Sequence, residues 1–162
     1  MARAHTLVPA MNVTWADDYV RHFHRVDIAV AVATPTGLVT PVLRDVDGMT
    51  VSEIARQTRD LAERAREGQL RQHELEGGST SISNLGMFGT EEFTAIINPP
   101  HASILAVGAA RREPVVVGDA ITAAQVLRVV LSVDHRPVDG AVAAQWMREF
   151  IGLVEAPARI LA

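Results

Sequence analysis

Acid–base chemistry is indicated by one short segment, which reads Asp-His-Arg-Pro-Val-Asp-Gly at residues 134–140. His135 follows a strongly apolar run from Ala124 to Val133 that predicts a strand, and a helical pattern begins at Ala141. This order predicts an imidazole held at the end of a strand, with the carboxylate of Asp139 four residues later. Histidine is the commonest general base in enzymes, although a histidine and an aspartate at a strand end can also be purely structural.

Alternating large and small side chains predict the strands around this segment. From Val26 to Thr34 the large β-branched residues fall on one face and alanines on the other, which indicates close packing against the alanine face. A second strand is predicted from Leu38 to Leu43, where Pro41 favours an edge or irregular position. Ser79 to Asn84 predicts a short strand rich in hydroxyl groups, and Ser103 to Gly108 predicts a buried strand.

Two helices are predicted. The first runs from Val51 to Arg66, where Thr50 and Glu53 have the spacing of a capping box. The second runs from Ala141 to Val154, and Asp139 lies where an N-cap is expected. Its apolar face is predicted to consist of Val142, Trp146, Phe150 and Val154.

Composition restricts the class of protein. The chain has 162 residues, of which 48% are hydrophobic, and this suits one packed α/β domain. The formal net charge of −4 and the lack of a basic stripe argue against nucleic-acid binding. The sequence has no run of about 18 apolar residues, and none of the apolar segments of a secretory leader follows Met1, so we expect no membrane span and a cytoplasmic location.

The absence of two residue types limits the chemistry. The sequence has no cysteine, which excludes disulfides, a thiolate nucleophile and a cysteine metal site. It also has no lysine, which excludes Schiff-base chemistry and any cofactor carried on a lysine amine. No metal site is predicted, because His22 and His24 lack an evident third ligand. We expect His5 and His73 at the surface and His101 in a loop or an interface.

Six motifs stand in a fixed order and together resemble a known family. They occupy residues 24–35, 37–41, 81–89, 93–100, 104–109 and 134–140. As a set they are similar to the C-terminal catalytic domain of the dihydrolipoamide acyltransferases, the E2 components of the 2-oxo-acid dehydrogenase complexes. The segments Ser-Asn-Leu-Gly-Met-Phe-Gly and Ile-Ile-Asn-Pro-Pro resemble those of the acetyl, or pyruvate, branch most. The acetoin dehydrogenase components are a near alternative.

The resemblance implies a fold and a reaction. The fold is α/β, a two-layer domain like chloramphenicol acetyltransferase, in which helices cover a mixed sheet and three copies form a trimer. The reaction is reversible transfer of an acyl group between dihydrolipoamide and coenzyme A. Residues 13–162 would be this catalytic domain without its upstream part, and residues 1–12 would be an N-terminal remnant or arm.

The resemblance also implies residue roles. His135 matches the family base that removes the proton of the coenzyme A thiol, and Ser83 matches the serine that stabilises the tetrahedral oxyanion. Asn84 is a weaker second candidate for substrate contact. Asp139 matches an aspartate that holds local structure, often through an arginine, which we expect in the missing upstream part. In this family the histidine and the serine come from different subunits.

The resemblance implies partners as well. Because the chain has no lysine, the lipoyl group must arrive on another chain, in a complex with E1 and E3 components and with possible cubic or dodecahedral assembly of trimers. Two alternatives remain open. One is a truncated, inactive core that acts in assembly, and the other is an acyltransferase whose acceptor is a small alcohol or amine.

Overall fold

Residues 1–160 are described by a computed structural model of the protein, and they form three α-helices and eleven strands. The helices are α1 (Ala2–Leu7), α2 (Val51–Arg66) and α3 (Gly140–Glu155). The strands are β1 (Val13–Ala16), β2 (Tyr19–His22), β3 (Ile28–Val30), β4 (Val32–Thr34), β5 (Gly37–Val39), β6 (Val42–Leu43), β7 (Thr80–Asn84), β8 (Ser103–Val107), β9 (Arg111–Val117), β10 (Ala120–Val126) and β11 (Val129–Val133). No helix in this part of the chain is long and apolar enough to cross a membrane.

The central sheet has five strands in the order β11-β8-β7-β3-β6. The inner pairs β8–β7 and β7–β3 are parallel and the outer pairs are antiparallel, so the sheet is mixed, as predicted. Strand β6 forms one edge and follows directly after Pro41, whose carbonyl accepts a hydrogen bond from Val30 N at 2.9 Å. Proline has no N–H to donate to a second neighbour, which explains its place at the edge.

Three of the predicted strands are each divided between sheets. The run from Leu38 to Leu43 is wrong as one strand, because β5 lies in a hairpin with β4 and β6 joins the central sheet. The run from Val26 to Thr34 is interrupted at Ala31, so β3 lies in the central sheet while β4 pairs with β5 in a hairpin. The run from Ala124 to Val133 is also wrong as one strand, because β10 pairs with β9 and only β11 joins the central sheet. Arg128 lies at that break, where its guanidinium pairs with both carboxylate oxygens of Glu113 at 2.6 Å. Apolar periodicity carries no signal for a change of sheet.

Both predicted helices are confirmed. Helix α2 has the predicted bounds, and the reciprocal capping box between Thr50 and Glu53 is present. Helix α3 begins one residue earlier than predicted and packs against β11 and α1. Its buried face contains Trp146 and Leu153, while Val154 is 50% exposed, so the prediction for Val154 is wrong. Steps of four residues advance by slightly more than one turn, and three such steps rotate a side chain away from the face where the series begins.

Residues 1–12, predicted as an arm, form α1 and a short 3₁₀ turn that pack against α3. Their buried side chains share one apolar cluster with Trp146, Leu105 and Leu153. His5 is 1% exposed, so its predicted surface position is wrong. Ala4 is fully buried in the same cluster, and the sequence does not reveal this contact between α1 and α3 by itself. The end of the predicted catalytic domain, residues 161 and 162, lies outside the described residues.

Candidate active site

His135 lies in a tight turn directly after β11. The turn is closed on one side by Asp134 N, which donates to the Ala102 carbonyl at 2.7 Å, and on the other by Val138 N, which donates to the Asp134 carbonyl at 3.2 Å. The His135 side chain is exposed. No hydrogen bond within residues 1–160 reaches its imidazole. The backbone of the turn therefore fixes the point from which this side chain extends.

The turn borders a cleft of about 670 Å³. Three chain segments form its walls, namely the β1–β2 hairpin, the loop before β8 and the turn after β11. The residues that line it are Trp15, Asp17, Ile97, Pro99, Pro100, His101, Val133, Asp134, His135 and Arg136. The volume of the cleft lies within the range of about 300–1,000 Å³ that is typical of ligand sites, and its walls combine apolar and charged side chains.

Two charged neighbours of His135 form an ion pair across it. Arg136 Nη2 lies 2.6 Å from Asp134 Oδ2, and Arg136 Nε lies 3.0 Å from Asp134 Oδ1. The hydrogen bonds from Arg136 hold the pKa of Asp134 below its usual value. On its other side, the Arg136 guanidinium lies 5.6 Å from the centre of the Trp15 ring. Neither Trp15 nor Arg136 has a role that the sequence motifs indicate, and only the spacing of Asp134 and Arg136 could have indicated their pairing.

Asp139 is the N-cap of α3. Its Oδ1 accepts a hydrogen bond from Val142 N at 2.8 Å, which satisfies one of the free N–H groups of the first helical turn. It makes no ion pair with an arginine in the part of the chain that the structure describes. The N-cap position is thus confirmed, and a role through an arginine stays a prediction.

Ser83 and His135 lie at opposite ends of the central sheet. Strand register places Ser83 level with Ala106 on β8, and Ala106 level with Val130 on β11. His135 follows Val130 by five residues of about 3.3 Å each and lies two strand spacings of about 4.8 Å away from Ser83, so the two residues are on the order of 15–20 Å apart. A site that uses both side chains therefore needs a second copy of the chain.

Asn84 is occupied by a local contact. Its Oδ1 accepts a hydrogen bond from Gly86 N at 2.9 Å and so stabilises the turn after β7. The half-buried Ser83, in contrast, makes no side-chain hydrogen bond within residues 1–160. Within residues 1–160, the Ser83 side chain is therefore available to donate a hydrogen bond to a substrate, whereas the Asn84 carbonyl oxygen already has a partner.

The family model of the 2-oxoacid dehydrogenases acyltransferase (catalytic domain) matches residues 1–162. The chain belongs to this family. Its relatives include the dihydrolipoyllysine-residue acetyltransferase components of the pyruvate dehydrogenase complexes of Zymomonas mobilis and Rickettsia bellii. The first is 48% identical over 154 residues, which are 95% of this chain and 35% of that protein. The second is 43% identical over 161 residues, which are 99% of this chain and 38% of that protein. The chain thus spans little more than a third of these relatives.

Solved structures of acyltransferases share the fold. The chain is 36% identical to the dihydrolipoamide acetyltransferase of Azotobacter vinelandii, with a TM-score of 0.93 over 99% of this chain and 68% of that one. A cubic core of the pyruvate dehydrogenase multienzyme complex gives 35% identity and the same TM-score of 0.93, also over 99% and 68%. Chloramphenicol acetyltransferase is only 14% identical, with a TM-score of 0.51 over 91% of this chain and 70% of that one, which supports the fold alone. The predicted α/β fold is therefore confirmed.

A second imidazole of this acyltransferase domain lies beneath the cleft. His101 is 5% exposed, which the prediction of a loop or interface position did not anticipate. Its Nε2 lies 2.8 Å from the Gly77 carbonyl, which can only accept, so Nε2 donates and Nδ1 accepts from the Ser81 hydroxyl at 2.6 Å. Burial lowers the pKa of His101. Buried hydroxyls need partners, and the hydroxyl-rich pattern of β7 is the signal that could have indicated this contact.

Proposed function

We propose that the chain catalyses reversible acetyl transfer between coenzyme A and dihydrolipoamide. The observation that carries this proposal is the exposed imidazole of His135 at the border of a large cleft, in a chain of the acyltransferase family. Coenzyme A is a substrate here and dihydrolipoamide is the other. The alternative acceptors, small alcohols or amines, would need the same base but lack support from the relatives.

The residues suit a thiol as the nucleophile. A thiol with a pKa of about 8.5 is mostly protonated at neutral pH, and the thiolate is the attacking form. His135 takes the thiol proton as a sulfur–carbon bond forms at the carbonyl carbon of the acetyl thioester. The tetrahedral intermediate then collapses, the bond to the second sulfur breaks, and that sulfur takes the proton back from His135. The step is therefore balanced and needs no further reactant.

Ser83 supplies the hydroxyl that stabilises the oxyanion in this proposal. The Azotobacter vinelandii enzyme was studied for the role of a serine, a histidine and an asparagine in its catalytic mechanism, and its serine precedes the histidine by 52 residues. Ser83 precedes His135 by the same 52 residues. The asparagine of that enzyme follows its histidine by four residues, and Asp139 takes this position here. Asp139 acts by holding the turn and helix that follow His135.

Because Ser83 and His135 are far apart within one copy, the active unit is an oligomer in which neighbouring copies each supply one residue. We propose a homotrimer, with assembly into a larger core as in the cubic core of the pyruvate dehydrogenase multienzyme complex. Exposed apolar residues on the β9–β10 hairpin support such packing, since Val116, Val117 and Ile121 are 62–78% exposed. The lipoyl group is carried outside residues 1–162, which have no lysine, and E1 and E3 components are the partners. A cytoplasmic location stays a prediction.

The test is an acetyl-transfer assay with acetyl-CoA and free dihydrolipoamide. We expect His135→Ala to lower kcat by about 100-fold or more, because a general base contributes that much. His24→Ala is the matched control, since His24 is exposed and lies outside the cleft, and it should retain full activity. Equal turnover in the two variants would overturn the proposal.

A second candidate function is assembly without turnover. The exposed apolar hairpin favours it as well, since it would serve packing whether or not the cleft is active. The mass of the particle in solution, measured beside the acetyl-transfer assay, separates the two. A large, folded and inactive particle favours assembly alone, while turnover that depends on His135 favours the enzyme.

A further inference from the structure

The His135 ring is exposed at the border of the cleft. Within residues 1–160 the imidazole makes no hydrogen bond, although a general base must be held in a defined place to act. Asp134 and Arg136 flank it in sequence and are joined by hydrogen bonds from the Arg136 main chain and side chain. Together these contacts form a closed ring of atoms around the His135 backbone.

Asp134 and Arg136, the two residues that close this hydrogen-bonded ring, each have a further contact. Asp134 is held by its main-chain hydrogen bond to Ala102 in the loop before β8, and its side chain is only 16% exposed. The Arg136 side chain is 63% exposed, so solvent would compete strongly for it if nothing covered it. The Trp15 ring lies against its guanidinium at 5.6 Å and restricts where that group can go.

Trp15 itself comes from a paired β-hairpin. It lies on β1, where it is paired with Val20 of β2, and its neighbour Thr14 forms a bridge with His101. The hairpin is thereby joined to the wall of the cleft that faces His135. An aromatic ring on this hairpin can transmit that position to Arg136, and through Arg136 to the turn.

We propose that Arg136, held between Asp134 and Trp15, is a positioning residue for the His135 imidazole. Neither Arg136 nor Trp15 touches the reacting atoms. The planar guanidinium is suited to this task because it binds a carboxylate with two N–H groups while one face lies against an aromatic ring. Lysine has the same charge, but it has neither two N–H groups in one plane to bind the carboxylate nor a flat face to lie against the aromatic ring.

The inference rests on the proposed function, and the experiment measures kcat and KM for acetyl transfer together with NMR of the His135 ring. We expect Arg136→Lys and Trp15→Ala to lower kcat about tenfold while KM changes less than about twofold, because only the geometry of the base is altered. Trp15→Phe keeps an aromatic face and should retain most of kcat. The His135 ring signals should shift in the first two variants and not in the third.

Matched controls exist elsewhere in the chain. Arg25→Lys alters an exposed ion pair in which Arg25 Nη1 lies 2.7 Å from Asp45 Oδ2. Neither residue lines the cleft. Tyr19→Ala removes the other arginine–aromatic contact of the same hairpin, where Arg21 lies 6.0 Å from the Tyr19 ring centre. Both controls should leave kcat and the His135 signals unchanged, and all variants should share one unfolding midpoint within a few degrees.

Several outcomes overturn the proposal. It fails if Arg136→Lys and Trp15→Ala keep wild-type kcat and His135 signals, if they raise KM alone, or if Trp15→Phe is as impaired as Trp15→Ala. It also fails if Tyr19→Ala is equally damaging. If the wild-type chain transfers no acetyl group, the proposed function is wrong, and the NMR signals still decide whether Trp15 and Arg136 position the ring.

Discussion

Trp146 donates its indole N–H to Nδ1 of His5 at 3.0 Å, across 141 residues of chain. Both side chains are almost completely buried, and the two rings meet edge to face with centroids 5.2 Å apart. This contact joins α1 to α3, the helix that begins directly after the His135 turn. The first residues of the chain therefore help to hold the element on which the candidate active site depends.

Burial of His5 makes stability depend on pH. Burial lowers the pKa of His5 from 6.5 to about 4. Between these two pH values the unfolded chain binds a proton at His5 and the folded chain does not. The contribution of His5 to stability is then complete above about pH 6.5 and is lost as the pH falls toward 4, by about 3 kcal/mol in all. Urea unfolding at a series of pH values measures this loss. His5→Leu should flatten the curve, and His24→Leu, at an exposed position, should not.

His101 adds to the same window, because burial lowers its pKa as well. The His5→Leu variant should therefore retain a smaller slope, and a double change with His101→Gln should remove most of it. If the free energy of unfolding of His5→Leu falls with pH as steeply as that of the wild type between pH 6.5 and 4.5, His5 is not neutral in the folded chain.

The cap of α3 gives a second prediction. Asp139→Ala should lower the free energy of unfolding by about 1 kcal/mol, because Val142 N loses its acceptor. Asp139→Asn should be nearly neutral in stability, since asparagine is an equally good N-cap. Chemical denaturation measures both changes. Thr50→Ala is the control, because it removes the cap of α2 at a similar cost in stability but should leave acetyl transfer intact. A loss of stability in Asp139→Asn as large as in Asp139→Ala would assign the carboxylate a charge-dependent role.

Gly108 gives a third prediction. A Cβ at this position would lie 1.8 Å from the Glu91 carbonyl oxygen, which is part of the backbone of the loop after β7. Gly108→Ala should therefore destabilise the fold by about 3 kcal/mol, since the loop must move away. Gly48→Ala is the matched control, because nothing lies within 4 Å of a Cβ there. Thermal unfolding compares the two, and equal midpoints would contradict the close approach of the loop.

Sharing of the site between copies gives a fourth prediction. Chains with Ser83→Ala and chains with His135→Ala should each be inactive, but when they are unfolded together and refolded, activity should return. In random mixed trimers about a quarter of the shared sites contain both wild-type residues, so up to about a quarter of the activity is expected. Mixing without unfolding is the control. No recovery after refolding together would indicate that both residues act within one copy.

The sequence by itself determined the local elements and the motif that carries the chemistry. The capping box at Thr50 and Glu53, the edge position of Pro41 and the N-cap at Asp139 were all predicted and are confirmed. Each depends on residues within a few positions of one another, where hydrogen-bond geometry and backbone stereochemistry leave few options. The identity of the family likewise followed from motifs read in order.

The tertiary structure decided the contacts between residues distant in sequence. The division of the apolar run before His135 into β10 and β11, the burial of His5 under α3, and the His101–Ser81 contact could not be predicted, because each depends on which surfaces meet. The same holds for the contact of Arg136 with the Trp15 ring and for the separation of Ser83 from His135. Periodicity reports which face of an element is apolar, but only packing determines what covers that face.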